Sequence, residues 1–153
     1  MAIEHSADYV IKEQKRMEFK SIKTTEDVTA FLDETNGLHD GELLTVEYKN
    51  NGIIKIGGGH SFEWEKTSLT LKVLVTSICD TVVEIEFNTL YEWQIRYDQT
   101  EITHTSVIFN DDGRVLWLDD YYIDSGHLKN HSYVVAESMK WRITEDNRPL
   151  RMT

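Results

Sequence analysis

From residue 41 to about residue 144, apolar and polar side chains alternate along the chain with a period of two. Such alternation is typical of β-strands that bury one face. The clearest runs are 69–75, 83–87 and 133–143. Polar turns separate the runs, with strong hairpin signals in NNG at 50–52 and NDDG at 110–113. The pattern therefore predicts an antiparallel meander and not a parallel βαβ sheet.

One segment before this alternation has the spacing of an amphipathic helix. Val28, Phe31 and Leu32 recur at positions i, i+3 and i+4. Thr24 can cap the N-terminus through its hydroxyl, and Gly37 supplies a C-terminal stop. The sequence thus predicts a mainly β (α+β) fold. We expect an antiparallel meander sheet, as a sandwich or a partly closed barrel, with one short N-terminal helix packed on it.

The length of 153 residues fits one hydrophobic core, because a chain of this size buries roughly two-thirds of its unfolded surface. We predict a polar N-terminal arm (1–16), a single mostly β domain (17–144) and a polar C-terminal tail (145–153). The N-terminal segment lacks the apolar run of a signal peptide, and no segment approaches the roughly 18 apolar residues of a membrane span. The lone Cys79 cannot form an internal disulfide, so the expected location is cytoplasmic.

The charge balance narrows the class of partner. Sixteen basic residues against 27 acidic ones give a formal net charge of -11. The average field of such a protein repels nucleic acid and anionic lipid and attracts cationic molecules. We therefore expect a basic protein as the partner, with no nucleic acid and no membrane.

The pair His39-Asp40, in the stretch NGLHDGELL, could provide a general base with its orienting carboxylate. Adjacent residues of an extended chain point to opposite sides, however, which argues against their acting together. The pair also lies where the helical pattern changes to alternation. We interpret His39 and Asp40 as a structural junction, in which Asp40 accepts backbone N–H bonds at the turn.

Two other stretches resemble ligand sites only in part. The glycines at 57–59 and His60 lack the Lys-Ser/Thr of a phosphate-binding loop, so a hairpin tip is favoured. His127 and His131 lie four residues apart in a predicted loop, which keeps zinc as an alternative. From these patterns we predict no cofactor, no metal and no catalytic residue.

Four tryptophans lie within alternating segments and are predicted to pack in the core: Trp64, Trp93, Trp117 and Trp141. The alternative is that the sheet curls around a pocket lined by Trp93, Tyr91 or Trp117. Such a pocket would make the protein a small-molecule or carbohydrate-binding domain.

The segment LDDYYIDSGH, residues 118–127, is the strongest candidate for a binding site. Tyrosine offers a large contact area at low entropic cost, and carboxylates attract a basic partner. We predict that the partner contacts five residues of this segment: Asp119, Asp120, Tyr121, Tyr122 and Asp124. The alternative is that both tyrosines fold back on the sheet edge. Three outward-facing carboxylates of neighbouring strands could extend the negative field: Glu84, Glu86 and Glu92.

Several of these stretches together resemble a group of small bacterial proteins, largely uncharacterised, that carry a Phe-His-Asp type motif at the start of a mostly β domain. The shared features are the short helix, GLHD leading into LLTVEY, the hairpin VIFNDDGRVLWLDD and the final strand VVAESMKWRI. Some similar proteins are encoded beside polymorphic toxins and are thought to be immunity proteins. The resemblance covers about residues 17–144, with Leu38 in place of the group's aromatic residue and Gly41 where a small polar residue is common. It implies no catalytic residues.

We therefore expect a non-catalytic acidic protein-binding module, and the resemblance implies an immunity protein that occludes a basic bacterial toxin. Two alternatives belong to other classes. One is the small-molecule or carbohydrate-binding domain described above. The other is a hydrolase in which His39 or His60 meets acidic side chains from distant strands. Exposed sheet edges could also pair between two copies, which would give a homodimer.

Overall fold

The computed structural model describes residues 18–78 and 81–145. The predicted N-terminal arm, Cys79 and nearly all of the predicted C-terminal tail lie outside the described residues. The described chain is mostly β, with a curled antiparallel sheet that forms a half-barrel and a short helix packed on it. The predicted fold class is therefore confirmed.

The strands of the described residues follow in chain order: β1 (Lys20–Ile22), β2 (Gly41–Asn50), β3 (Ile53–Ile56), β4 (Gly59–Phe62), β5 (Thr67–Val75), β6 (Thr81–Gln94), β7 (Glu101–Ile102), β8 (Ser106–Phe109), β9 (Val115–Leu118) and β10 (Tyr133–Thr144). The main sheet has the order β7-β2-β5-β6-β10-β9-β8, and β1 also pairs with β10. Strands β3 and β4 form a separate hairpin. Consecutive strands are neighbours from β5 to β6 and from β8 to β10, whereas β6 pairs with the distant β10.

The centre of the sheet follows the predicted alternation. Its fully buried side chains include Leu69, Leu71, Val73 and Val75 of β5, and Val83, Ile85 and Phe87 of β6. Leu71 lies opposite Ile85 in the paired strands, so these side chains form one layer. Full burial of one such side chain contributes roughly 1.5–3 kcal/mol relative to leaving it exposed.

Helix α1 (Thr25–Glu34) starts where the sequence predicts it. The Thr24 hydroxyl accepts a hydrogen bond from the Asp27 N–H, and the Asp27 carboxylate accepts one from the Thr24 N–H. This reciprocal capping box satisfies two backbone donors at the helix start. Phe31 is fully buried and packs edge to face against Trp141 of β10, with ring centroids 5.2 Å apart. Across residues 18–78 and 81–145, no helix has the length and apolar character needed to cross a membrane.

The turn at 50–52 is the first correction to the predicted topology. It does not close a hairpin between β2 and β3, because β3 pairs with β4 instead. The chain turns a corner at Gly52, whose carbonyl accepts a hydrogen bond from the Glu63 N–H at 2.8 Å. A Cβ atom at position 52 would lie 1.9 Å from the Glu63 carbonyl oxygen, so only glycine fits. The hairpin predicted at 110–113 is confirmed, since β8 and β9 pair around it.

Trp64 is the second correction. Trp117 and Trp141 are fully buried and Trp93 packs against the core, as predicted. Trp64 is 40% exposed at the start of a short 3-10 helix, because the preceding strand β4 lies outside the main sheet. Its ring packs against Tyr91, with centroids 5.1 Å apart, and does not enter the core.

Candidate functional site

A cleft of about 480 Å³ opens between the start of β2, the segment 98–103 and the end of β9. Five carboxylates and one imidazole contribute to its lining: Glu42, Asp98, Glu101, Asp119, Asp120 and His131. We call this feature the acidic cleft. The pairing of β2 with β7 places Glu42 opposite Glu101, so two of the carboxylates are cross-strand neighbours.

Strand β9 fixes the position of Asp119 and Asp120. All four residues of β9 are buried, and Asp119 follows directly. The Asp119 N–H donates to the Ser132 carbonyl at 3.1 Å, and Asp119 Oδ1 accepts from the Ser132 N–H at 3.2 Å. Only 6% of the Asp119 side chain is exposed. This burial raises the pKa of Asp119 to about 6, against the opposing effects of His131 and the Ser132 N–H.

A short 3-10 helix, Ser125–Asn130, fixes the position of the two histidines. Asp124 caps this helix, because its Oδ1 accepts a hydrogen bond from the His127 N–H at 3.0 Å. Leu128 packs against a small apolar cluster on β9 and β10, which holds the helix to the sheet. His127 and His131 consequently lie side by side, with ring centroids 4.4 Å apart.

Asp119, Asp120, His127 and His131 form what we call the histidine–aspartate cluster. Asp120 Oδ2 lies 3.1 Å from His127 Nε2 and 3.2 Å from His131 Nε2. The other ring nitrogen of His131, Nδ1, lies 3.5 Å from Asp119 Oδ1. Burial acts to raise the pKa of Asp120, but the Tyr121 N–H and the His127 side chain outweigh it and hold that pKa below its ordinary value. Groups in this arrangement can share a proton or bind a metal ion.

Tyr121, Tyr122 and Ile123 form an exposed loop beside the cluster, with 60%, 40% and 69% of their surface exposed. The Tyr121 ring packs against His104, with centroids 4.0 Å apart. Both tyrosines therefore present much of their surface to solvent and are not covered by the sheet edge. Of the five predicted partner-binding residues, Asp119 is buried. The other four are at least partly accessible: Asp120, Tyr121, Tyr122 and Asp124.

His39 and Asp40 contact each other outside the lining of the acidic cleft. His39 Nδ1 lies 2.8 Å from the Thr103 carbonyl oxygen, and the His39 carbonyl accepts from the Ser77 hydroxyl at 3.1 Å. His39 Nε2 is 3.6 Å from Asp40 Oδ2, so the expectation that the two side chains point to opposite sides is wrong. That expectation assumed an extended chain, whereas Asp40 has a φ of 56°. His39 makes the hydrogen bonds of this junction; among the described residues, no backbone N–H donates to the Asp40 carboxylate.

Basic side chains of β10 offset two of the outward-facing carboxylates of the central strands. Glu84 pairs with Arg142 at 3.0 Å, and Glu86 pairs with Lys140 at 3.5 Å. Glu92 accepts a hydrogen bond from a tyrosine hydroxyl at 2.6 Å. The negative field of this region is therefore weaker than the sequence indicates.

Sequence reasoning misses three members of the acidic cleft, Glu42, Asp98 and Glu101. Strand β7 is two residues long and carries no alternation signal, so its pairing with β2 cannot be predicted from the pattern. One signal for the cluster is present in the sequence, because His127 and His131 follow shortly after two adjacent aspartates. The spacing becomes meaningful only when the segment forms a 3-10 helix.

Comparisons with models of protein families, with curated proteins and with solved structures find no match to this chain. The resemblance to small bacterial immunity proteins therefore stays a prediction.

Proposed function

We propose that this protein is a non-catalytic binding module that holds a basic protein through the acidic cleft and the exposed loop 121–123. The observation that carries the proposal is the convergence of five carboxylates from separate segments on one cleft. Carboxylates in a concave site focus negative potential and speed the encounter with a positively charged surface. Exposed tyrosines beside such a site are typical of binding hot spots.

The protein neutralises only part of the charge in the cleft. Arg96 makes a bidentate contact with Asp98, with distances of 3.2 and 2.9 Å. Glu42 and Glu101 lie opposite each other on paired strands. Within the part of the chain that the structure describes, neither carboxylate has a Lys or Arg partner. Like charges that face each other on paired strands are destabilising, so a cation from a partner would relieve the repulsion.

An arginine side chain of the partner is well suited to the cleft, because its planar guanidinium can donate two parallel hydrogen bonds to a carboxylate. Tyr121 and Ile123 would contact the surrounding surface, together with Tyr97, which is 87% exposed and precedes Asp98. A protein that covers the basic surface of a toxin in this way would act as an immunity protein by occlusion. The support for that step is the resemblance described above together with the charge of the cleft.

The first test uses a fluorescein-labelled, arginine-rich peptide as the probe and follows binding by fluorescence anisotropy in the presence of EDTA. Glu42→Gln with Glu101→Gln removes two charges from the cleft, and the matched control, Glu26→Gln with Asp33→Asn, removes two charges from α1. We expect the cleft variant to weaken binding at least about tenfold and the control less than about twofold. Equal losses would mean attraction by net charge alone and would contradict the proposal.

The second test concerns the loop and uses a partner captured from the native host and purified. Tyr121→Ser should raise the dissociation rate at least about fivefold, with little change in association, because tyrosine acts through close packing. The control Tyr48→Ser removes a tyrosine that is also exposed, on β2. Surface plasmon resonance measures both rates. Equal dissociation rates for the two variants would remove the loop from the proposed surface.

No specific observation on the described residues supports the hypothesis of a small-molecule or carbohydrate pocket. Trp117 is buried in the core, and the Tyr91 ring is covered by the Arg114 guanidinium at 3.4 Å. Trp93 stacks on Tyr48, with ring centroids 5.8 Å apart. The aromatic residues expected to line a pocket thus pack against other side chains, and this function stays a prediction.

The hydrolase hypothesis also stays a prediction. His60 lies exposed on β4, in the hairpin outside the main sheet. One ring nitrogen of His39 contacts the Thr103 carbonyl oxygen. A homodimer through an edge strand such as β8 is likewise a prediction.

A further inference from the structure

Three side chains of the histidine–aspartate cluster bring potential metal-ligand atoms together. One potential ligand atom from each of Asp120, His127 and His131 lies within 4.8 Å of the other two. We infer that these three residues bind one divalent transition-metal ion, for which zinc is the appropriate probe. This inference does not rest on the proposed binding of a basic protein.

The spacing of the ligand atoms fits a shared metal ion. Zinc binds histidine nitrogen and carboxylate oxygen at about 2.0–2.1 Å in tetrahedral geometry, which puts neighbouring ligand atoms about 3.3 Å apart. Asp120 Oδ2 lies 3.1 Å from His127 Nε2 and 3.2 Å from His131 Nε2. These two distances match the tetrahedral spacing, and all three ligand atoms lie within 4.8 Å of one another.

Asp119 provides a second, independent indication. Its side chain is more than nine-tenths buried, and its Oδ1 lies 3.5 Å from His131 Nδ1. A carboxylate in this position favours the imidazole tautomer with the proton on Nδ1, which leaves Nε2 free to bind a metal. Asp119 is thus a positioning residue that orients His131 and does not itself bind the ion.

The competing explanation is a network of ion pairs that serves the fold alone. In such a network His131 faces two carboxylates, Asp119 through Nδ1 and Asp120 through Nε2. A neutral imidazole has one N–H, so His131 can donate to only one of these two carboxylates, and its other nitrogen then turns a lone pair toward a carboxylate oxygen. A metal ion bound by both Nε2 atoms removes this conflict, because His131 then needs only the proton on Nδ1.

The acidic cleft gives access to the inferred ion. Asp120 and His131 both line the cleft, so a fourth ligand would enter from there. Three protein ligands with one open position are typical of zinc sites that bind an exchangeable molecule, and a set of two histidines and one carboxylate also suits Fe(II). In this protein, water or a donor group of a molecule bound in the cleft would complete the coordination.

The central test measures zinc binding by isothermal titration calorimetry. It uses the full chain without a polyhistidine tag, stripped of metal with EDTA and then dialysed. We expect one zinc ion per chain. His127→Gln or His131→Gln should weaken binding at least about 100-fold, because even the loss of an outer-shell partner typically costs 10–100-fold. The matched control His60→Gln, at an exposed position of β4, should bind zinc as the wild type does.

Cobalt(II) gives a second readout, because a site with tetrahedral coordination produces intense visible absorption. His127→Gln or His131→Gln should abolish this spectrum. Asp119→Asn keeps the size of the side chain but weakens the orientation of His131. We expect it to bind about 10–100-fold more weakly while it retains the cobalt spectrum. A purely structural role of Asp119 would change the stability of the metal-free protein without this loss of affinity.

Two results would overturn the inference: no saturable binding of zinc or cobalt by the wild type, or full binding by the double variant His127→Gln with His131→Gln. Circular dichroism and urea unfolding in EDTA establish that each variant is folded. If a histidine variant does not fold, Asp120→Asn takes its place, with the same expected loss of affinity. The peptide assay for the proposed function contains EDTA, so failure of the metal site leaves its outcome unchanged.

Discussion

Two groups of histidine and aspartate among the described residues differ in how they are assembled. His39 and Asp40 are neighbours in sequence, yet their closest atoms are 3.6 Å apart and both side chains are about half exposed. The histidine–aspartate cluster comes from two separate stretches, and Asp120 Oδ2 lies 3.1 and 3.2 Å from its two histidines. The pair that is adjacent in sequence therefore makes the longer and more exposed contact.

Anchorage to the core explains the difference. The aspartates of the cluster follow a fully buried strand, and its 3-10 helix is held to the sheet by Leu128. Asp40 instead lies in a turn, with a φ of 56°. The two groups lie near each other, because His104 packs between His39 and Tyr121, with centroid distances of 5.9 and 4.0 Å. The same face of the protein thus carries one group that is anchored to the core and one that lies in an exposed turn.

The largest expected effect is a loss of stability in the core beneath β9, to which the cluster is anchored. Trp117→Ala removes a fully buried side chain shortly before Asp119, and the free energy of unfolding should fall by about 3–5 kcal/mol. Urea unfolding followed by circular dichroism measures the change. The control Trp64→Ala, at a tryptophan that is 40% exposed, should cost about 1 kcal/mol or less. Similar losses at both positions would argue against the anchorage described above.

The next effect is a pH dependence caused by Asp119. Its folded-state pKa of about 6 lies above the ordinary value of 3.8, so the folded protein favours the protonated carboxyl. The stability from this group is fully present below the unfolded pKa and is lost as the pH rises through about 6, by at most roughly 3 kcal/mol. Asp119→Asn should therefore gain stability relative to the wild type from about pH 4 to about pH 7.

Urea unfolding of both proteins in EDTA, at a series of pH values, gives the difference in the free energy of unfolding. The comparison between the two proteins cancels the contributions of other titrating groups. Parallel profiles for Asp119→Asn and the wild type would show that burial of Asp119 does not control this part of the stability.

A smaller effect concerns the helix that leads into the His39 turn. Thr24→Ala removes the N-cap hydroxyl of α1 and should lower the free energy of unfolding by about 1 kcal/mol. Thermal or urea unfolding measures this loss. Zinc affinity should be unchanged, since α1 contributes no ligand to the cluster. The control Thr29→Ala, at an exposed position inside α1, should be neutral or slightly stabilising because alanine favours helix.

The smallest effect is expected at Asp40 itself. Glycine adopts a positive φ without steric cost, but it loses more backbone entropy on folding than other residues. For Asp40→Gly these contributions should cancel to within about 0.5 kcal/mol, as measured by urea unfolding. Gly37→Ala, at a φ of 61°, provides the matched control and should cost about 1 kcal/mol. A loss above about 1 kcal/mol at Asp40 would show that its carboxylate stabilises the turn after all.

The sequence predicts the parts of the fold that depend on local periodicity. The alternation of β5 and β6 and the capped helix with Phe31 follow from neighbours along the chain, and the structure confirms them. The corner at Gly52 is different, because its requirement for glycine comes from the carbonyl of Glu63 in another segment. The exposure of Trp64 has the same origin, since alternation does not reveal which hairpin leaves the main sheet.

The sequence indicates which segment carries the candidate site, but it does not predict the burial and the contacts of the side chains in it. The segment 118–127 stands out in sequence by its aspartates and tyrosines. The burial of Asp119 depends on its hydrogen bonds with Ser132, which precedes the neighbouring strand β10. The partnership of Asp120 with His127 depends on a 3-10 turn that has no hydrophobic period. The charge pattern alone encodes neither contact.

The pairing of β1 with β10 brings the first described strand alongside the last, with Lys20 opposite Trp141. A short linker between residues 18 and 145 could therefore join the two strands. New termini could be opened between Gly57 and Gly58, where a Cβ atom added at either position would meet nothing within 4 Å. Circular permutation at this point would leave the site intact and would place a fused reporter on the hairpin outside the main sheet.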